Sequence, residues 1–501
     1  MKKAYHQVII IVSMLFLMFL FAACGNQYEY LIIEDSDTHP VIENQLTIET
    51  YLPIINYSIV EAPPQNLTLE DFLYDFDYMT QLMEDTFPYF GVAERRLGID
   101  IRALAQEARI MIENYPYSMQ ERASEFGIAL EDMPILDEHV FWSIIFHEFF
   151  THFSPFAHTN ILRFNTYNRI RPMYERHFVP FDTPNNLHAF TNEISEAFYR
   201  EQETLFRTLP EKNLSLFQFI FRMYMDEPLP ILSTVITTES IEDGKIAYLG
   251  IPSFSGSPQL ILERFYRSIE EYNHLIIDIR DNPGGSVDMW RMLIMYLLWQ
   301  DRDNMPNMPL RVFYNDSDLA RSLAEFHIQN AMQFSRHLPE TDYLLTTSEM
   351  MQKYYLPYLN EDDLQGFAYG ISFNTSIANI EMQHIRRAGM AGAFSPIPFN
   401  GKIWILSNER NTSAAALFVR HAKYMNFATI VGEQTHGLYT SSYGTYFALP
   451  NTGVIVRWDI DYVTDEFGRS LEEFPTMPNY FNREGMDALE TVLHMIKEGN
   501  Y

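Results

Sequence analysis

Apolar residues recur at helical spacing through Phe72, Phe76, Met79, Leu82 and Met83, behind a Thr68/Asp71 capping-box signal, and predict a helix starting at about Thr68. The helical pattern continues to about Phe150 and ends at the segment around His158, with further helices expected at Ala189 to Leu209 and Leu214 to Met225. At Val235 the pattern switches to strands. Val235 to Ile241 and Lys245 to Ile251, joined through Asp243-Gly244, read as a hairpin, followed by an amphipathic helix around Leu260 to Tyr272. An apolar run from Leu275 reads as a buried strand, and a helix is expected from about Met289 to Leu298. Residues 316–395 read as a long, helix-rich, Met-rich insertion before a strand at Lys402. Tyr446 to Leu449 and Val454 to Trp458, joined by Pro450 to Gly453, form a late hairpin, and Asp487 to Lys497 a closing helix. The sum is an α/β (α+β) fold: a mixed-sheet core, an N-terminal helical domain and a helix-rich insertion.

Two stretches of this pattern carry chemistry. The strand from Leu275 stops at Asn282-Pro-Gly-Gly285, a turn that leaves the backbone N–H groups of Gly284 and Gly285 able to point at a ligand. The strand from Lys402 ends in a polar loop, and Ser413 then opens an Ala-rich helix, where the helix N-terminus favours a developing anion. A serine before such a run is by itself most often a helix cap. The order of strand, glycine turn, strand, Ser-helix and the Gly432 to Gly437 loop points instead to a serine hydrolase.

That order resembles the carboxy-terminal processing, or tail-specific, serine peptidases with their tricorn-like and retinoid-binding-protein-like relatives. Asp278 to Gly285 resembles the family's Asp-x-Arg-x-Asn-x-Gly-Gly, Thr412-Ser413-Ala414 its nucleophile segment, and Gly432 to Gly437 its Gly-Glu-x-Thr-x-Gly loop. The resemblance covers roughly residues 66–165 and 233–495 and implies a ClpP/crotonase-like catalytic core. The lysine that serves as general base in the processing branch is missing: the chain reads Gly437-Leu438-Tyr439-Thr440. The tricorn-like branch draws a His from the preceding region and a Glu from a later one. Phe153 to Ile161, carrying His158, and Gly468 to Asn479, carrying Glu472, are similar to those two elements. The resemblance therefore implies Ser413 as nucleophile, His158 as base and Glu472 as its carboxylate, with an oxyanion hole from Ala414 and from Gly284 or Gly285. His436, inside the Gly432 loop, is the reserve base, His152 a weaker third candidate, and Glu473 the competitor of Glu472. The rival reading is a non-catalytic peptide- or apolar-ligand-binding protein that has kept the fold, an option opened by the missing lysine.

His147 and His152 suggest a zinc-peptidase helix, but they are five residues apart rather than four and point in different directions on a helix. No metal and no cofactor are expected. The single cysteine, Cys24, follows Met-Lys-Lys, an apolar run from Val8 to Ala23 and Phe21-Ala-Ala, the layout of a secretory signal ending in a lipoprotein box. Residues 1–24 are then a signal peptide, 25–66 a spacer, 67–232 the helical region carrying the candidate His, and 233–501 the catalytic domain. That layout makes the protein an extracytoplasmic lipoprotein held to the membrane through Cys24. A chain of 501 residues, 47% hydrophobic, can bury large cores, and its formal charge of −31 argues against nucleic-acid partners. No convincing PDZ-like stretch lies between Tyr167 and Leu232, which weakens any inference of tail specificity from the family.

Overall fold

A computed structural model describes residues 66–175, 183–221, 235–256, 258–300, 308–334, 345–364, 367–375, 396–437 and 444–499. The expected signal peptide, Cys24 and nearly all of the expected 25–66 spacer lie outside them, as does Leu438. The described residues fall within one compact unit, Leu46–Tyr501, so the expected helical region and the region after residue 233 share a core.

That core is organised by a six-stranded sheet. Its strands are β2 (Thr237–Glu242), β3 (Ile246–Gly250), β4 (His274–Asp278), β7 (Lys402–Ser407), β8 (Thr429–Gly432) and β12 (Tyr480–Phe481). They lie in the order β12-β8-β7-β4-β3-β2, all parallel except for the β2–β3 hairpin. Strands β4 and β7 read as unbroken apolar runs because both faces are covered. Ile276, Trp404, Leu406 and Val431 face the closing helix Ala488–Glu498, while Leu275, Ile277, Ile403, Ile405 and Ile430 face the main core with the helix Ala414–Tyr424. The closing helix starts as the sequence predicts, with a capping box between Asp487 and Glu490. At the opposite edge every residue of β2 is exposed, and its Thr, Glu and Ser residues suit an edge strand in water. The mixed α/β architecture expected from the sequence is thus present.

A second sheet departs from the sequence reading. Strand β5 (Met308–Asn315) pairs antiparallel with both β6 (Phe367–Thr375) and β11 (Tyr462–Thr464). Helices Asp318–Phe334 and Thr347–Lys353 do occupy part of the 316–395 stretch, but β6 lies inside it and β5 just before it. Phe367, Tyr369, Ile371 and Phe373 alternate with a period of two, a strand signal overlooked beside the helical segments. Pro309 disguises β5; it lies beyond β11, which pairs only with Arg311 to Phe313.

A third, small sheet joins the helical region to the rest. Strand β1 (Asn160–Ile161) pairs with β10 (Ile455–Trp458), which pairs with β9 (Thr445–Ala448), the late hairpin of the sequence reading. The connecting turn at Pro450 to Gly453 is gripped by the helical region. Asp75 accepts from the backbone N–H groups of Asn451 (3.0 Å) and Thr452 (2.8 Å) and from the Thr452 hydroxyl (2.7 Å), while Ser195 donates to the Gly453 carbonyl (2.8 Å). Burial pushes the Asp75 carboxyl up to about 6 against the pull of these donors. The grip matters because β1 begins two residues after His158 and β10 ends one residue before Asp459.

Candidate active site

Ser413 sits where strand β7 has given way to a polar loop and the helix Ala414–Tyr424 begins. Its backbone adopts φ 52 and ψ −126, a region that a residue with a side chain enters only under constraint. The constraint comes from both sides. The Ser413 N–H donates to the Gly437 carbonyl (3.1 Å), and the Thr412 hydroxyl donates to the Pro283 carbonyl (2.9 Å). Asn411 donates its side-chain amide to the carbonyls of Ile279 and Asn282, tying the serine loop to the glycine turn. The serine does not cap its helix: its side chain makes no cap bond, and among the described residues its hydroxyl has no hydrogen-bond partner.

The glycine turn is equally determined. Gly284 at φ 100 and Gly285 at φ 128 lie in the region reserved for glycine. A Cβ on Gly284 would stand 2.9 Å from the Ala414 nitrogen and 3.0 Å from the Ser413 Cβ, so the turn packs directly under Ser413. The two glycines differ as donors. Gly284 gives its N–H to Asn282 Oδ1 (2.8 Å), which removes it from the expected oxyanion hole. The N–H groups of Gly285 and Ala414 have no acceptor among the described residues. Gly285 is exposed, and Ala414 opens the helix with the dipole behind its N–H.

His158 occupies a tight turn in which Ala157 (φ 46) and His158 (φ 51) are both left-handed. Its neighbourhood is pinned by Thr159, whose N–H and hydroxyl both donate to the Phe156 carbonyl (2.9 and 2.8 Å), and by the Asp459 N–H on the Ala157 carbonyl (2.9 Å). The imidazole Nδ1 lies 2.6 Å from Asp459 Oδ2, with the His158 side chain 10% exposed and that of Asp459 fully buried. The carboxylate against His158 is therefore Asp459 and not, as the sequence reading has it, Glu472.

Glu472 is fully buried close by, in a different relation. Arg96 Nη1 lies 3.5 Å from Glu472 Oε2 and donates to the Glu472 carbonyl (2.6 Å), while Arg96 Nη2 donates to the His436 carbonyl. A Cβ on Gly437 would stand 3.1 Å from both Glu472 Oε2 and Arg96 Nη1. Glu472 and Arg96 thus back the turn whose carbonyl holds the Ser413 N–H. Glu473 turns outward into an ion pair with Arg95 (2.7 Å), which separates the two competitors. Burial first, then the negative charges of Glu472, Asp461 and Asp459, raises the Tyr89 hydroxyl well above its usual range. Arg96 also lies over the Phe156 ring at 6.0 Å, two residues from His158.

His152 is exposed in the 3₁₀ turn Phe150–His152, while His147 lies in the last turn of helix Glu138–Glu148. Among the described residues no group of three or more His, Cys, Asp or Glu side chains could hold a metal. His436 contributes its backbone, the N–H to Asn411 (2.9 Å) and the carbonyl to Arg96, and burial followed by the nearby Arg96 charge holds its imidazole pKa below the usual value. A His436→Gln change keeps both backbone contacts. It should lower kcat/KM by less than about tenfold, roughly 1.4 kcal/mol of barrier, and a larger loss in steady-state assays would restore His436 as the base.

Sequence reasoning missed Asp459 and Arg96. Asp459 had a faint signal, a carboxylate set in the apolar run Trp458-Asp-Ile-Asp-Tyr-Val463 directly after a buried strand. Arg96 had none, standing beside Arg95 in an amphipathic helix.

The profile of peptidase family S41 matches residues 245–480. Among solved structures, the chain is similar to mature CPAF complexed with lactacystin, at 12% identity over 86% of this chain and 98% of that one, with a TM-score of 0.45. It is also similar to a lipoprotein from Streptococcus agalactiae, at 12% identity over 88% and 99% of the two chains, TM-score 0.40. With the photosystem II D1 C-terminal processing protease it shares 14% identity over 53% of each chain, TM-score 0.29. No curated protein sequence matches the chain.

Proposed function

We propose that the chain is a serine peptidase of family S41, whose profile matches residues 245–480, and that it works from outside the cytoplasm through an acyl-enzyme on Ser413 with His158 as the base. The observation that carries this reading is the backbone at Ser413: a residue held at φ 52 and ψ −126 and packed against the glycine turn, its hydroxyl and the Gly285 and Ala414 N–H groups all without partners among the described residues. Such a turn presents a nucleophile at the mouth of an anion site. In the first step the Ser413 oxygen attacks the scissile carbonyl carbon while His158 takes the hydroxyl proton, and Gly285 and Ala414 donate to the oxyanion. Collapse breaks the carbon–nitrogen bond, and His158 returns the proton to the leaving amine. Water, deprotonated by the same imidazole, then attacks the acyl carbon, the bond to the Ser413 oxygen breaks, and His158 returns the proton to that oxygen. The substrates are proteins or peptides.

The experiment is reaction of the intact chain with a fluorophosphonate probe, followed by peptide mapping. The adduct is expected on Ser413. An adduct elsewhere, or an active peptidase that never reacts at Ser413, sinks the assignment.

The membrane attachment is part of the same proposal. It is supported by the Met-Lys-Lys start, the apolar run from Val8 to Ala23 and the small residues before Cys24. Growth with an alkyne-tagged fatty acid should label the wild-type chain and leave a Cys24→Ala chain unlabelled; equal labelling of both would remove the anchor.

A further inference from the structure

We propose that Asp459, and not Glu472, is the positioning carboxylate of His158, and that Glu472 serves with Arg96 to brace the turn that holds Ser413. The inference rests on the reading of Ser413 and His158 as nucleophile and base. Asp459 Oδ2 lies 2.6 Å from His158 Nδ1, at the short edge of hydrogen-bond distance. With the ring proton on Nδ1, Nε2 keeps its lone pair for the serine hydroxyl. A carboxylate on Nδ1 both selects that tautomer and stabilises the imidazolium that forms.

Three further observations separate the two carboxylates. Among the described residues His158 is the only ion-pair partner of Asp459, whose other oxygen, Oδ1, is buried without a hydrogen-bond partner. The His158 ring is thus the polar group that the Asp459 side chain faces. Glu472 already has a cation, Arg96, at 3.5 Å. Asp459 also grips the His158 turn twice, through its side chain on the ring and through its N–H on the Ala157 carbonyl (2.9 Å). This double hold opposes the return of two consecutive left-handed residues to ordinary backbone conformations. The antiparallel register Asn160↔Arg457 brings the two segments together, so the pairing is set by the β1–β10 ladder and not by a flexible loop. Glu472, against Gly437 and Arg96, acts on the serine side: its place is behind the carbonyl that accepts the Ser413 N–H.

The test combines kinetics with the tautomer of the ring. The full chain is prepared with ¹⁵N-labelled histidine, and the His158 ring signals are assigned by their absence in His158→Gln. At alkaline pH, where the imidazole is neutral, the wild-type ring should carry its proton on Nδ1. Asp459→Asn should move that proton to Nε2, because the asparagine amide can donate to a bare Nδ1. It should also lower kcat by about 10³- to 10⁴-fold with KM changed little. Glu472→Gln should leave the proton on Nδ1. A wild-type ring protonated on Nε2 would overturn the proposal, and this needs no variant to fold. So would an Asp459→Asn protein within tenfold of wild-type kcat, or loss of the Nδ1 tautomer in Glu472→Gln alone. The tautomer is read without turnover. An inert protein with an intact Nδ1–H signal therefore counts against the peptidase reading, and an active Asp459→Asn protein against this inference alone.

Discussion

Replacing Ser413 by alanine should abolish peptide cleavage, with kcat falling on the order of 10⁶-fold, the scale seen when the serine of a Ser-His-Asp peptidase is removed. The fold should not notice. The Ser413 side chain makes no cap bond, and the contacts that fix the turn belong to the main chain and to its neighbours: Ser413 N–H on Gly437, Thr412 on Pro283, Asn411 on Ile279. Alanine keeps all of them. It also keeps the cost of standing at φ 52, about 1–3 kcal/mol for a residue with a side chain, which glycine does not bear. A Ser413→Gly protein should accordingly melt above Ser413→Ala while being equally dead. Thermal melts beside a fluorogenic peptide assay check both halves. A Ser413→Ala protein that kept more than about 1% of wild-type turnover, less than 3 kcal/mol of barrier, would show that the serine is not the nucleophile.

What was legible in the sequence followed from local rules. The β4 and β7 runs are apolar at every position because each strand is covered twice, so Leu275 and Ile277 serve one core while Ile276 serves the other. Asn282-Pro-Gly-Gly285 and Ser413-Ala414 were readable because glycine and helix-start chemistry are written in adjacent residues. The serine, the glycine turn and the helix behind them are therefore legible from the order of residues alone. The partner of His158 is not. It comes from Asp459, 301 residues later, and the two meet only because β1 pairs with β10 in one register. No short window of sequence contains that information. Glu472 stands in the stretch that resembles the family's Glu-bearing element and is buried near the site, but Arg96, a residue from the Phe90–Leu97 helix, claims its charge. The same limit explains the second sheet. Strand β6 alternates plainly from Phe367 to Phe373, whereas β5 carries a proline and gains its identity from β6 and β11, two strands far apart in the sequence.

The glycine turn lies closely under Ser413. A methyl group on Gly284 would lie 2.8 Å from the Thr412 carbonyl oxygen, 2.9 Å from the Ala414 nitrogen and 3.0 Å from the Ser413 Cβ. All three contacts are with main chain or with the nucleophile itself, so no flexible side chain can move aside. The residue also stands at φ 100, where alanine is strained whatever the space. Gly284→Ala must therefore push the serine turn, Ala414 included, away from Gly285, or twist the turn that carries Gly285. Either displacement, of order 1 Å, breaks the arrangement of Ser413, Ala414 and Gly285 proposed to receive the oxyanion, and such a misplacement costs about 10²-fold or more in kcat. The sheet beneath should survive, because β4 and β7 end before the turn and are held by their own ladder. The expected result is a folded protein, with wild-type far-ultraviolet circular dichroism, whose fluorophosphonate labelling rate and kcat fall together while KM moves little. An unchanged labelling rate would mean that the glycine turn and the serine are not one device, and that the oxyanion is received elsewhere.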